Sequence, residues 1–210
     1  MISHQYKCIF IHVQRTGGTT IERWLQGEDQ WNIHHNTKHI TTGYARDRAY
    51  PEYFNEYFKF AFVRNPYERV MSELLHAGMN RYFHMGLNLE TPEESFLRID
   101  PYQYVCYSCI GGSVINDYPD DWNNMIPNSI YQNIFSAGID KVYKFEEYDD
   151  AIDDIASILG IESPRGTLLK HGARPEGHPQ VDQLKPKDFE MINELYGADF
   201  EKYGYEKRFV

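Results

Sequence analysis

The order of elements around residues 7–25 constrains the fold more than any other feature of the chain. Lys7-Cys8-Ile9-Phe10-Ile11-His12-Val13 is a short apolar run that reads as a buried strand. The polar turn Gln14-Arg15-Thr16-Gly17-Gly18-Thr19-Thr20 follows, and Ile21, Trp24 and Leu25 then recur at helical spacing. The order is therefore strand, glycine loop, helix.

The same alternation returns further along. Phe58–Val63 reads as a second strand, followed by Asn65 as N-cap, Pro66 at the first helical position and Glu68 at the third. Val70, Met71, Leu74 and Leu75 supply the buried face of that helix. A third strand, Lys141-Val142-Tyr143-Lys144-Phe145, leads into a helix carrying Ile152, Ile155, Ala156 and Leu159 and ended by Gly160. A last helix is expected after Pro186, with Phe189, Ile192, Tyr196 and Phe200 on its apolar side. Strands alternating with helices predict an α/β fold, a parallel sheet covered on both faces with ligands at the strands' carboxyl ends. Residues 75–135 are less regular, although Thr91-Pro92-Glu93-Glu94 reads as another helix start. The expectation there is helical insertions around the active site.

Composition narrows the class. With 210 residues the chain fits one domain, 1–210, with length enough for a real core. The formal net charge of −10 argues against a broad nucleic-acid or anionic-membrane surface. Glu146, Glu147, Asp149, Asp150, Asp153 and Asp154 concentrate part of that charge and mark the start and exposed face of a helix. Tyrosine, with 17 copies, reads mainly as core-edge packing. Cys8, Cys106 and Cys109 make no disulfide framework and read as reduced thiols, Cys106 and Cys109 being a lone C-x-x-C without a second pair to complete a zinc site. No stretch is long enough to span a bilayer and no charged leader precedes an apolar one, so the expectation is a cytoplasmic protein with no membrane partner.

The loop from Gln14 to Thr20 is the strongest chemical signal. Glycines let the backbone approach a ligand, and successive N–H groups at a helix N-terminus favour an anion. Thr16, Thr19 and Thr20 add hydroxyls, and Arg15 adds a permanent positive fork. A Gly17-Gly18 pair alone would read as a tight turn; the three threonines and the arginine point to phosphate binding. The loop lacks the pattern G-x-x-x-x-G-K-[ST], which disfavours an ordinary ATP or GTP hydrolase.

Ile9 to Thr20 resembles the 5′-phosphosulfate loop of the sulfotransferase superfamily, usually written F-I-H-x-P-K-T-G-G-T-S. Phe60 to Ser72 resembles that superfamily's 3′-phosphate segment, F-V-R-[ND]-P-x-x-R-x-x-S. Lys141–Leu159 and the ending Asp199–Tyr205 are similar to the carbohydrate-type branch, related to heparan and chondroitin sulfotransferases and small bacterial homologues. Two motifs in the right order are more specific than either alone. The resemblance implies a P-loop-like parallel sheet and the sulfate donor 3′-phosphoadenosine 5′-phosphosulfate (PAPS), with 3′,5′-ADP as product and no metal. It implies that Gln14, Arg15, Thr16, Gly17, Gly18, Thr19 and Thr20 cradle the phosphosulfate. It also implies that Arg64 and Ser72 bind the 3′-phosphate. Ser72 lies seven residues past the Asn65 cap, about two turns, which returns it to the cap's side of the helix. Arg69 is assigned to structure, pairing with a nearby acid.

Lys38-His39 lies between the two motifs, where the family carries its base histidine. His39 is therefore the candidate general base, since an imidazole titrating near neutrality can take a hydroxyl proton. His34 and His35 are its rivals, and His12 is expected to pack at the end of its strand. The chain departs from the family at Arg15 and Gln14, where Lys and Pro are usual. Arg holds oxyanions bidentately but is a poor proton donor, so Arg15 is expected to stabilise charge. The expected reaction is sulfuryl transfer to a hydroxyl of a carbohydrate or small glycosylated molecule. A kinase-like phosphotransferase and a catalytically impaired PAPS-binding module are the alternatives. With 21 Lys and Arg against 31 Asp and Glu, a long polyanionic acceptor is not expected.

Overall fold

The computed structural model describes residues 1–34, 37–72, 132–168, 180–184 and 186–209. The expected helix start at Thr91, the Cys106 and Cys109 pair, His35, and Leu74 and Leu75 lie outside the described residues. The chain divides into two compact units, one of Met1–Arg64 with Gln132–Ala173 and the other of Asn65–Tyr131 with Arg174–Val210.

The first unit is an α/β layer structure built on four strands, β1 (Ile2–Ser3), β2 (Cys8–Ile11), β3 (Phe58–Val63) and β4 (Lys141–Lys144), hydrogen-bonded in that order. β2, β3 and β4 are parallel, with Phe10 opposite Phe60 and Phe62 opposite Tyr143. β1 adds an antiparallel edge beside β2 to the expected parallel sheet. Its two residues are too few to show a period in the sequence. Phe145, expected to end β4, instead opens a 3₁₀ turn, Phe145–Glu147.

Strand residues alternate between two faces, and here both faces are apolar. Cys8, Phe10, Phe60, Phe62 and Tyr143 point to one side. There they meet Ile21 and Leu25 of helix α1 (Gly18–Gln26) and Tyr148, Ala151, Ile152 and Ile155 of helix α2 (Tyr148–Leu159). Ile9, Ile11 and Ala61 point to the other side, against Ile40, Ala45, Tyr50, Phe54, Tyr57 and Phe135. The sheet is thus covered on both faces, as the continuous apolar strands require. Gly160, at φ +67°, ends α2 in the left-handed conformation expected of it. Asp149, Asp150, Asp153 and Asp154 lie along the outer side of α2, where Arg165 pairs with Asp150 and Asp153 and Lys141 with Asp154.

In the second unit, residues 66–72 are helical. Asn65 caps them, its Oδ1 accepting the Tyr67 N–H at 3.0 Å. Tyr67, 1% exposed, packs its ring against Phe189 and Phe200. Its hydroxyl donates to Asn193 Oδ1 and accepts the Arg208 N–H at 2.7 Å. The single last helix expected from the sequence is two helices, α3 (Pro186–Leu195) and α4 (Gly197–Tyr203). The chain leaves helical geometry at Tyr196 (φ −109°, ψ +21°), before Gly197, a poor helix former. Phe189, Ile192, Tyr196 and Phe200 still share one core with Tyr67, Val70 and Met71. Among the described residues no helix is long and apolar enough to cross a membrane.

The cap gives a direct test. Asn65→Ala should lower stability by about 1 kcal/mol, read from the denaturant midpoint, whereas Asn65→Asp, which keeps the acceptor oxygen, should leave it nearly unchanged. Equal losses in the two variants would show that the side-chain oxygen is not what holds the helix start.

Candidate active site

Because β2, β3 and β4 are parallel and in register, their carboxyl ends, Ile11, Val63 and Lys144, open on one edge of the sheet. The loop after β2, Arg64 after β3 and Phe145 after β4 meet there. The loop's conformation is unusual at two successive odd positions: Arg15 has φ +64° and Gly17 φ +77°. A positive φ in an arginine is uncommon and persists only where surroundings impose it. One such restraint is Arg64, whose Nη1 donates to the Arg15 carbonyl at 3.2 Å while its guanidinium lies 4.4 Å from the centre of the Phe145 ring. Gln132 fixes Arg64 itself, its Oε1 accepting the Arg64 N–H at 2.7 Å and its Nε2 donating to the Arg64 carbonyl at 2.8 Å.

Both glycines are demanded by contact. A Cβ on Gly17 would lie 2.8 Å from the Phe145 ring and 3.1 Å from that of Tyr148. Tyr148 also donates its hydroxyl to the Gly17 carbonyl at 3.0 Å. A Cβ on Gly18 would lie 2.2 Å from the His12 ring. The loop therefore runs in contact with aromatic rings on both sides. Gly17, as N-cap of α1, offers no side chain to the helix's first amides.

Beneath the loop lies a buried charge cluster. Glu22, on α1 and fully buried, accepts from His12 Nδ1 at 2.7 Å, from Lys38 Nζ at 3.1 Å and from the Gln30 N–H at 3.1 Å. Lys38 also pairs with Asp29 and reaches Thr19 Oγ1 at 3.4 Å. Burial alone would raise the Glu22 carboxyl, but the bond from His12 and the Lys38 charge outweigh it and hold the group at about 2. Burial pushes His12 down, so it donates to Glu22 as a neutral imidazole.

His39 is half-buried, its ring edge-on to that of His12 at 4.4 Å. Its Nδ1 lies 3.0 Å from the His12 carbonyl oxygen. A carbonyl can only accept, so Nδ1 carries the proton and Nε2 keeps its lone pair. Burial pushes His39 well below the usual histidine range. At neutral pH it is an uncharged imidazole with one basic nitrogen, the state a general base needs.

The remaining expected residues fall as follows. Gln14 is buried and Arg15 half-buried in the loop, and Thr20 is buried on α1. Thr16 is buried in the loop, its hydroxyl donating to the Val13 carbonyl at 2.8 Å. Ser72 is buried at the end of the described helical residues in the second unit, where Arg69 is also buried, 5.7 Å from the Tyr196 ring centre. His34 is exposed at the end of a short helix, Gln30–His34. Sequence reasoning did not find Glu22, Gln132 or Phe145. A glutamate between Ile21 and Arg23 on an amphipathic helix reads as solvent-facing, and Gln132 and Phe145 act through contacts far apart in sequence.

A family model described as the sulfotransferase family matches residues 1–206. Among solved structures, a sulfotransferase from Alicyclobacillus acidocaldarius is similar at 16% identity with a TM-score of 0.38, the match covering 82% of this chain and 60% of that one. The chain thus spans about 60% of that protein's length. No curated protein gives a significant match.

Two outcomes follow from the geometry. Gly18→Ala should destabilise the fold by about 1–3 kcal/mol, measured by thermal unfolding, because the His12 ring must move to admit the methyl. In the folded protein the His39 ring protons should titrate with a midpoint below about 6.5 by NMR, and a midpoint at or above that value would contradict the half-buried, neutral base.

Proposed function

Because the chain belongs to the sulfotransferase family, we propose that it transfers a sulfuryl group from PAPS to an acceptor hydroxyl. The observation that carries this reading is the His39 bond to the carbonyl of His12, the residue two before the glycine loop's first position. It keeps a neutral imidazole beside a loop suited to an anion. Residues 1–210 form one sulfotransferase domain in this reading, since the family match runs through both units.

The residues present fit the donor. Gly17 and Gly18 let the loop pack directly against the Phe145, Tyr148 and His12 rings, and the start of α1 carries no side-chain cap from Gly17. Backbone N–H groups there, with the Arg15 guanidinium and the Thr19 and Thr20 hydroxyls, would hold the phosphosulfate. The motif from Phe60 to Ser72 assigns the 3′-phosphate to Arg64 and Ser72. PAPS supplies the sulfuryl group, whose bond to the phosphate breaks as a bond to the acceptor oxygen forms. His39 Nε2 takes the hydroxyl proton. Arg15 offsets the negative charge left on the phosphate; being permanently cationic, it stabilises that charge without moving a proton. Because the family's usual residue there is Lys, Arg15→Lys should remain active.

The acceptor is a neutral or weakly charged hydroxyl compound, with a sugar as the first candidate, and the setting is cytoplasmic. Charge supports this: Lys38 pairs with Glu22 and Asp29, Lys59 with Asp140, Lys141 with Asp154, Arg165 with Asp150 and Asp153, and Arg208 with Asp182. These cations among the described residues are already matched to acids, and the whole chain carries a formal net charge of −10, which disfavours a polyanion. Turnover should therefore depend weakly on ionic strength, and strong, salt-sensitive inhibition by heparin at the acceptor site would refute this choice.

Calorimetry tests the donor. The chain should bind 3′,5′-ADP more tightly than 5′-AMP, and Arg64→Ala should remove most of a preference worth roughly 1.5–3 kcal/mol. Equal affinities in the wild-type protein, or Mg²⁺-dependent ATP turnover without sulfate transfer, would count against PAPS. His39→Ala should slow turnover about 10²–10⁴-fold while leaving 3′,5′-ADP affinity nearly intact. Normal turnover in that variant would move the base elsewhere.

A further inference from the structure

A buried carboxylate on α1 has no place in the mechanism above, and its position asks for a reason. Glu22 is fully buried between Ile21 and the end of β2. An ionised side chain there is costly unless its partners are good, and an apolar residue of similar size would fit a helix face equally well. Its partners come from three separate segments. His12 ends the strand, Gln30 begins the short helix Gln30–His34, and Lys38 precedes the base.

These bonds close a ring. Glu22 holds the His12 side chain, the His12 carbonyl holds His39 Nδ1, His39 follows Lys38, and Lys38 Nζ returns to Glu22. Lys38 also touches Thr19 Oγ1 in the first turn of α1. The base is thereby tied to the loop through both its own ring and its chain neighbour. Removing the charge at the centre would leave the His12 side chain an acceptor but free Lys38 to shift toward Asp29, its other partner.

We propose that Glu22 is the positioning residue for the base, fixing residues 37–40 against the glycine loop so that His39 Nε2 stays aimed at the acceptor hydroxyl. This rests on the sulfotransferase reading above. Glu22 acts through His12 and Lys38 and touches neither donor nor acceptor. The charged and titratable groups around it are His12, Lys38 and Asp29, with the Tyr50 hydroxyl and the Met1 amine nearby.

The test uses the full chain with Glu22→Gln, which keeps size and an acceptor for His12, and with the double variant Glu22→Gln/Lys38→Met, which removes both buried charges together. In each, the fold is checked by thermal unfolding. Affinity for 3′,5′-ADP should stay nearly unchanged while kcat falls about 10²-fold, the scale of a small misplacement of a reacting group. In Glu22→Gln the NMR titration midpoint of His39 should fall below the wild-type value, because a negative charge favouring the imidazolium is gone while Lys38 remains. Glu22→Asp, which retains the charge, should restore that midpoint toward wild type. Wild-type kcat with an unchanged His39 midpoint would overturn the proposal, as would a kcat loss matched by an equal loss of 3′,5′-ADP affinity. Failure of both Gln variants to fold would make Glu22 a scaffold residue and overturn it too. If the wild-type chain itself transfers no sulfate, the functional reading fails, and the His39 midpoint still reports whether Glu22 governs that ring.

Discussion

The structure of the site depends on how closely the loop after β2 runs to its neighbours. Gly18 lies against the His12 ring, and Gly17 against the rings of Phe145 and Tyr148. Any side chain at either position would lift the loop from the sheet edge and separate the elements that meet there. The alternating apolar strands place Phe10, Phe60, Phe62 and Tyr143 beneath α1 and α2. That packing decides where α1 begins, and so where its N-terminus points. Arg15 holds a positive φ in the same loop, with the Arg64 guanidinium bonded to its carbonyl.

Under this loop, electrostatics does what sequence proximity cannot. His12, Gln30 and Lys38 converge on one carboxylate from a strand end, a helix start and a turn. Net charge misleads about such a site, because a chain at −10 can still satisfy a buried acid from cations of its own. Three cationic or hydrogen-donating partners keep Glu22 ionised against a burial that would otherwise favour its neutral form. Beside it, the same burial keeps His39 neutral. Both groups are therefore deprotonated at neutral pH, one as a buried anion and the other as a neutral ring.

How far the sequence could be read follows from the range of each interaction. Local signals were legible. Asn65 caps its helix as the Asn-Pro pair predicts, Gly160 ends α2, and the apolar strand Phe58–Val63 is where its pattern put it. The turn from β2 into α1 was legible because its Gly17-Gly18 pair stands out between an apolar strand and an amphipathic helix. Longer-range or shorter features were not. β1 is two residues long and has no period to detect, and a helix with one apolar side hid the break at Tyr196 because both halves face the same core. The bond from the Thr16 hydroxyl to the Val13 carbonyl, three residues back, has no signature in residue type alone. Glu22 was invisible for a different reason: nothing in a single sequence tells a buried acid from an exposed one until its partners are placed.

We propose that a neutral His39 serves a donor held at the glycine loop in transfer to a hydroxyl. The most direct measurement incubates the purified chain with PAPS and a panel of sugars, peptides and small alcohols, and reads each acceptor by mass. The account predicts that a sugar or other uncharged hydroxyl compound gains one sulfuryl group while 3′,5′-ADP accumulates in equal amount. Tight 3′,5′-ADP binding with no acceptor modified across the panel, and none of the donor consumed, would contradict it and leave a nucleotide-binding module in its place.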